Sequence, residues 1–327
     1  MSITSDLIDK IKGKNFRIVF PEATEERNLH AIAQLNQEGL IKTILVGKQG
    51  DIEQAASKLH IDLTESQIID PEKDPNFNQM VSAFVSCRNG KVTMAEANQI
   101  LVDPIYYGTM LVQQKRADGL VSGAIHSTAD TVRPALQIIK TKPGIKRVSG
   151  AFIMEKGNKR LFLADCAINI DPDAQALAEI AMESRRTAEI FNINPYVALL
   201  SFSTKGSAKH PFVEKVQEAT RLVQKLDPKG YYDGELQFDA AMIPEVAELK
   251  APGSTVAGHA NVLIFPNLES GNIGYKIVQR LGGYKALGPI LQGLNRPISD
   301  LSRGCSKEDI VEIAIVTAAL ALIDYEN

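Results

Sequence analysis

Apolar residues recur along this chain in two rhythms, short continuous runs and longer stretches at helical spacing. Asn15 to Phe20 is a short run closed by Pro21, Thr24 to Glu38 is amphipathic and closed by Gly39, and Ile41 to Val46 is a second short run. Strand, helix, strand is the right-handed start of a parallel sheet. Asp51 to Leu59, Asn76 to Cys87 and Thr93 to Leu101 read as helices, and Pro104 opens another that reaches Lys115. Ala117 to Val121 is a strand that runs into the small-residue loop Ser122-Gly123, and a helix with Pro134 in an early turn follows.

Past Lys142-Pro143-Gly144 the rhythm changes. Val148 to Met154 and Arg160 to Ala164 read as the two arms of a hairpin. Helices are then expected over 173–191, 211–226, 238–249 and 273–281, with strands over 196–202, 232–237 and 261–265. At the far end, Ile310, Ile313, Ala314, Thr317 and Leu320 recur at i, i+3, i+4, i+7, so a helix starts near Ser306. That helix has no partner strand of its own in this reading. It is therefore expected to return to the first lobe, which makes an α/β domain of residues 1–143 plus 296–327 and a second α/β domain of residues 144–295. A cleft between two such lobes is the usual place for a ligand.

Composition narrows the function. The chain has 327 residues, 44% of them hydrophobic, and a net charge of -3, without a block of Lys or Arg. Nucleic acid and anionic membrane are not expected as partners. The N-terminal stretch is mixed and charged, no run of about eighteen apolar residues occurs, and the expected location is cytoplasmic. Cys87, Cys166 and Cys305 are far apart without CxxC spacing, and the five histidines show no HxxxH pairing. Neither a disulfide framework nor a bound metal is expected.

Candidate chemistry gathers in two stretches. Ser122-Gly123 with Ser127, Thr128, Thr131 and Arg133 places a Ser-Gly loop, a hydroxyl cluster and a helix start after a strand, the layout of an oxyanion cradle. A plain βα turn with redundant caps fits the same residues. Ser302-Arg303-Gly304 precedes the last helix, where free amides, the helix dipole and a guanidinium fork favour an anion. Ser306 and Asp309 also fit a capping box. Asp233, Glu235 and Asp239 fit either a divalent metal site or a solvated rim with helix caps. Cys166, after a strand and without a neighbouring histidine, fits a small buried residue better than a nucleophile.

Ser122-Gly123 with Ser127 to Pro134, Ala164-Asp165-Cys166-Ala167, Asp233 to Gln237, Phe265-Pro266-Asn267, and Leu294 to Pro297 with Asp300 to Gly304 together resemble the phosphate acetyltransferase family over nearly the whole chain. The resemblance implies two α/β domains with a cleft, similar to the isocitrate and isopropylmalate dehydrogenase fold, assembled as a homodimer. It implies reversible transfer of acetyl between CoA and phosphate, with acetyl-CoA, phosphate and acetyl phosphate as substrates and no permanently bound cofactor. On it, Asp309 matches the base for the CoA thiol and Arg303 the transition-state arginine, with Ser302 beside it. Arg88, Arg133 and Arg280 match arginines of CoA binding, and Cys166 a cysteine near the site that carries no acetyl group. A phosphate butyryltransferase differs chiefly in the acyl pocket. A decarboxylating dehydrogenase needs a metal and a nicotinamide site, and a CoA-sensing domain is expected to lack the Arg303 and Asp309 pair.

Overall fold

The computed structural model describes residues 2–325, and side chains as far as Leu322. In chain order the elements are α1 (Ile3–Ile11), β1 (Arg17–Phe20), α2 (Glu26–Glu38), β2 (Lys42–Val46), α3 (Gln49–Lys58), β3 (Gln67–Ile69), α4 (Phe77–Cys87), α5 (Met94–Ile100), α6 (Pro104–Gln113), β4 (Gly119–Ser122) and α7 (Thr128–Pro134). Then follow β5 (Ser149–Lys156), β6 (Lys159–Ala164), α8 (Ala174–Ile190), β7 (Tyr196–Leu200), α9 (Pro211–Leu226), β8 (Tyr231–Leu236), α10 (Phe238–Met242), α11 (Pro244–Lys250), β9 (Val262–Ile264), α12 (Leu268–Arg280) and β10 (Lys285–Gln292). β11 (Ile298–Asp300) and α13 (Lys307–Tyr325) end the chain. No helix among the described residues is long and apolar enough to cross a membrane.

The chain separates into two compact units. One contains Thr4–Thr141 and the chain from Leu294 onward, and the other contains Lys142–Gly293 with the first residues through Ile3.

The Thr4–Thr141 unit is built on a parallel sheet in the order β11-β4-β1-β2-β3. Its strands are short and, apart from the edge strand β3, largely buried on both faces, which is why β1, β2 and β4 read as continuous apolar runs. From β1 the chain steps one way to β2 and β3, then crosses back to place β4 and β11 on the other side of β1. The order therefore reverses between β1 and β4, the point at whose carboxyl ends open α/β sheets generally bind ligands. α6 packs so closely on one face that a Cβ at Gly108 would sit 2.8 Å from Val19. On the opposite face, a Cβ at Gly119 would meet Thr317 of α13 at 2.5 Å, and Thr317 Oγ1 donates to Ser299 Oγ at 2.7 Å.

Several expectations need correcting. The last helix does have a strand of its own. β11 is only three residues long and runs parallel to β4, pairing Ile298 with Leu120 and Asp300 with Ser122. Pro134 is the last residue of α7 rather than part of an early turn, and the helix widens at once into a π turn over Ala135–Ile139. The ring removes an amide donor, and a wider turn accommodates that loss. The expected helix over 238–249 is two helices, because Pro244 starts α11 with Ile243 in an extended conformation. The charged N-terminal stretch, to which the sequence pattern assigns no element, is helical: Ile3, Leu7 and Ile11 fall on one face and are buried, each contributing about 1.5–3 kcal/mol.

The Lys142–Gly293 unit carries a mixed sheet, β10-β5-β6-β9-β7-β8. β5 and β6 form an antiparallel hairpin, β6, β9, β7 and β8 run parallel, and β10 is an antiparallel edge strand beside β5. Its three acids are held within the fold. Asp233 pairs with Lys205 and with Ser254, buried Glu235 accepts from Ser203 Oγ and the Gly206 amide, and Asp239 pairs with Lys250 at 2.7 Å.

Candidate active site

Both candidate stretches of the Thr4–Thr141 unit lie at the carboxyl edge of its parallel sheet. The Ser122 loop leaves β4 and the Ser302 loop leaves β11, which are neighbouring strands. The segment Pro21 to Arg27 leaves β1 on the other side of β4. Strand order has thus converted positions some 180 residues apart in sequence into adjacent loops.

The centre of this edge is Glu22, which the sequence pattern does not single out. It is buried, and its carboxylate accepts four backbone N–H groups: Gly123 at 3.0 Å, Ala124 at 2.9 Å, Ile125 at 3.0 Å and His126 at 3.0 Å. The His126 ring adds Nδ1 at 2.7 Å, so this histidine has a carboxylate partner, one that lies 104 positions away in sequence. Burial by itself would raise the Glu22 pKa. The hydrogen bonds from Ile125, the His126 ring and Ala124 outweigh it and hold the carboxyl below its ordinary range. A nest of amides after β4 is therefore present, and the protein's own carboxylate fills it.

The hydroxyls of this loop are also engaged from within. Ser127 Oγ donates to Asp130 at 2.6 Å in a capping box for α7. Thr128 Oγ1 donates to Asp300 Oδ2 at 2.7 Å. Ser122 and Thr131 are fully buried. Asp300 itself is 1% exposed, and burial pushes its carboxyl up to about 6 against the hydrogen bond from Thr128.

The Ser302–Asp309 loop behaves differently. Ser302, Arg303 and Gly304 are exposed, and the Arg303 guanidinium makes no hydrogen bond or ion pair among the described residues. The backbone of the loop is held firmly. Ser302 O accepts the Cys305 amide at 2.8 Å, which closes a tight turn. Arg27, another residue without a local signature, grips the loop from behind: Nη1 donates to Arg303 O at 2.9 Å and Cys305 O at 2.8 Å, while Nη2 donates to Ala124 O at 2.9 Å. Glu25 fixes the same guanidinium through Nε at 2.6 Å. One arginine thereby ties the β1, β4 and β11 loops together.

Ser306 and Asp309 form the capping box of α13. The Ser306 amide donates to Asp309 Oδ2 at 2.8 Å, and the Asp309 amide donates to Ser306 Oγ at 3.1 Å. This uses one carboxylate oxygen and leaves Oδ1 free of hydrogen bonds among the described residues. Cys305, buried beside Arg27, has its thiol pushed up to about 11 by burial and is a protonated neighbour rather than a nucleophile.

Arg133 sits in the last turn of α7, which follows the β4 loop, and Arg88 caps the end of α4. Burial raises the Tyr106 phenol pKa, and the positive charges of Arg133 and Arg88 partly offset that rise. Arg88 is half-buried, with Nε enclosed and without a hydrogen-bond partner. Arg133 is exposed, 3.9 Å from Asp130.

Arg280 and Cys166 belong to the other unit. Arg280 ends α12, and Cys166 is fully buried, its thiol pushed well up by burial. Burial raises the Tyr275 phenol pKa, with smaller contributions from Cys166 and, in the opposite sense, Arg280; its ring stacks on Phe152 at 4.1 Å. This unit also carries an open pocket of about 620 Å³ at the carboxyl ends of its parallel strands, lined by Phe202, Phe212, Phe238 and Phe265.

A two-unit α/β fold with polar loops at the carboxyl edge of a parallel sheet is the frame of a small-molecule enzyme. The family model described as phosphate acetyl/butaryl transferase matches residues 2–318, and the chain belongs to that family of acyltransferases. It is 55% identical over 325 residues to a phosphate acetyltransferase of Staphylococcus epidermidis, covering 98% of this chain and 99% of the relative. A phosphotransacetylase crystal structure from Streptococcus pyogenes superposes with a TM-score of 0.96 at 55% identity, covering 99% of this chain and all of the other. The fold extends to a 4-hydroxythreonine-4-phosphate dehydrogenase from Burkholderia phymatum, with a TM-score of 0.54 at 14% identity over 93% of this chain and 97% of that one. The dehydrogenase-like two-sheet architecture expected from sequence is thus present.

Proposed function

We propose that the protein transfers an acetyl group reversibly between CoA and inorganic phosphate. Near-complete coverage of phosphate acetyltransferases at more than half identity carries this reading. The chemistry of the Ser302–Asp309 loop supports it. Asp309 keeps one carboxylate oxygen outside its cap and is the base that takes the proton from the CoA thiol as sulfur attacks the acetyl carbonyl of acetyl phosphate. A thiol near pKa 8.5 is mostly protonated at neutral pH, so a base in contact raises the effective nucleophile. In the opposite direction phosphate attacks acetyl-CoA, and the thiolate recovers the proton as it leaves.

Negative charge grows on the carbonyl and phosphate oxygens in either direction. Arg303, unpaired at rest, stabilises that charge more than the neutral carbonyl, with Ser302 beside it. Arg88, Arg133 and Arg280 take the anionic groups of CoA. Ser122, Gly123, Ser127, Thr128 and Thr131 frame the site rather than bind the anion, since their donors already meet Glu22, Asp130 and Asp300 or are buried. Cys166, raised and enclosed, stays a bystander. Transfer is direct, with both substrates held together supplying the proximity.

The protein works as a homodimer in the cytoplasm. Ile273 and Ile277 of α12 and Leu281 at its C-cap lie four residues apart and are all more than half exposed, an apolar stripe suited to a second copy. Cys87, Cys166 and Cys305 are all free thiols, as a reducing compartment favours.

The decisive experiment follows free thiol released from acetyl-CoA, with and without phosphate, in chelator and without added metal. Phosphate-dependent release is expected. Release that ignores phosphate would indicate a thioesterase, and CoA binding without release would indicate a sensor.

A further inference from the structure

Asp300 is a carboxylate with no assigned task. It ends β11, two residues before the Ser302–Cys305 turn, and is 1% exposed. Burying a carboxylate is costly, and an apolar side chain in the same place would be cheaper. It does not reach the surface, so it cannot act on a substrate. What it offers, and an apolar group could not, is direction: Oδ2 receives Thr128 Oγ1 at 2.7 Å from the first residue of α7. Thr131, one turn on, brings a second buried hydroxyl beside the same carboxyl without closing a hydrogen bond.

The surroundings are shaped for this contact. The Leu301 amide donates to Ser122 O at 2.8 Å, which lays the outgoing chain against the end of β4. Gly123, at φ +114°, lies flat on the junction, where a Cβ would stand 2.6 Å from Asp300 Oδ1 and 2.7 Å from the Leu301 amide. Among the described residues no backbone hydrogen bond joins α7 to the segment 298–305. The Thr128–Asp300 bond is thus the tie made by the helix bearing Arg133 itself, beside the Arg27 contacts that hold the Arg303 loop to Ala124.

We propose that Asp300 is a positioning residue for acyl transfer, a strut which, through Thr128, holds the Arg303 loop and the Arg133 helix in one fixed arrangement. This rests on the reading of Arg303 and Arg133 as the groups that meet substrate. A misplacement of either by about 1 Å can cost on the order of a hundredfold in rate. The ionisable groups around the strut are Glu22 with its partner His126, and Asp130 and Arg133 on α7.

Thr128→Val keeps the shape and deletes the donor, Thr128→Ser restores it, Asp300→Asn keeps an acceptor and Asp300→Ala removes it. Steady-state kcat and KM would be measured well below the melting temperature of each variant, with melting curves on the same samples. Thr128→Val and Asp300→Ala should each lower kcat at least tenfold, and the double variant should be no worse than the weaker single. Thr128→Ser and Asp300→Asn should stay within a few-fold of the parent at pH 7.5. Where Asp300→Ala fails to fold, Thr128→Val and its serine rescue carry the test alone. Thr128→Val turning over within twofold of the parent, while Arg303→Ala is inactive, would overturn the strut. Arg303→Ala at full activity would instead overturn the reading on which it rests.

Discussion

Two loops at the same edge of one sheet use their polar groups in opposite ways. After β4, the amides of residues 123–126 turn to Glu22, Ser127 turns to Asp130 and Thr128 turns to Asp300. After β11, the backbone is pinned by Arg27, but the Arg303 guanidinium and one Asp309 oxygen remain unpaired among the described residues. A hydroxyl-rich loop after a strand is thus not an anion site by virtue of its donors alone, because an internal carboxylate can fill it first. The groups left for a ligand are those whose backbone is fixed while their charge is unanswered.

Removing the unanswered charge should have the largest consequence. Arg303→Ala should lower kcat by about 10²–10³ with an unchanged melting curve, as read by phosphate-dependent thiol release. Near-normal turnover would move the transition-state charge elsewhere.

Removing the answered charge should instead damage the fold. Glu22→Gln sets an amide donor against backbone donors and should cost about 2–3 kcal/mol in denaturant unfolding at pH 7. Because the Glu22 carboxyl is held below its ordinary range, its contribution is full above the usual value of 4.5 and fades as pH falls through the folded-state value. The deficit of the variant should shrink on acidification.

Asp300 has the opposite sign. With its carboxyl pushed up to about 6, the fold gains from protonation below the ordinary carboxylate range and loses that gain as pH rises through 6. Asp300→Asn stays neutral, so relative to the parent it should gain on the order of 2 kcal/mol between pH 4 and pH 8. A difference that does not change with pH would mean that Asp300 ionises like an exposed acid. Smallest of the set, Ser306→Ala should cost about 1 kcal/mol as a lost helix cap while leaving turnover of the folded protein nearly intact.

Most of the fold was legible because βα alternation writes its period into the sequence, and the long helices α2, α8, α9 and α13 start and stop near their signals. What escaped had physical reasons. β10 contains Gly288-Pro289, which speaks against a strand, yet it sits at a sheet edge with an irregular register there and tolerates both. β11 is three residues long, too short to show a period. In the candidate site, Ser302, Arg303 and Asp309 stood out because cap, guanidinium and glycine are neighbours in sequence. Glu22 and Arg27 did not, and Asp300 entered only as a motif position without a role, because each acts on residues between about 100 and 280 positions away, and no local pattern encodes such a partner.

The most direct test compares Asp309→Asn with Ser306→Ala in phosphate-dependent thiol release, with melting curves for both. Asparagine keeps the acceptor for the Ser306 amide but cannot take a proton, whereas Ser306→Ala breaks the cap and keeps the base. Loss of turnover by about 10²–10⁴ in Asp309→Asn, with an intact melt and an active Ser306→Ala, is the expected result. Equal, modest losses in both variants that follow their stability would contradict the account and leave Asp309 as a helix cap.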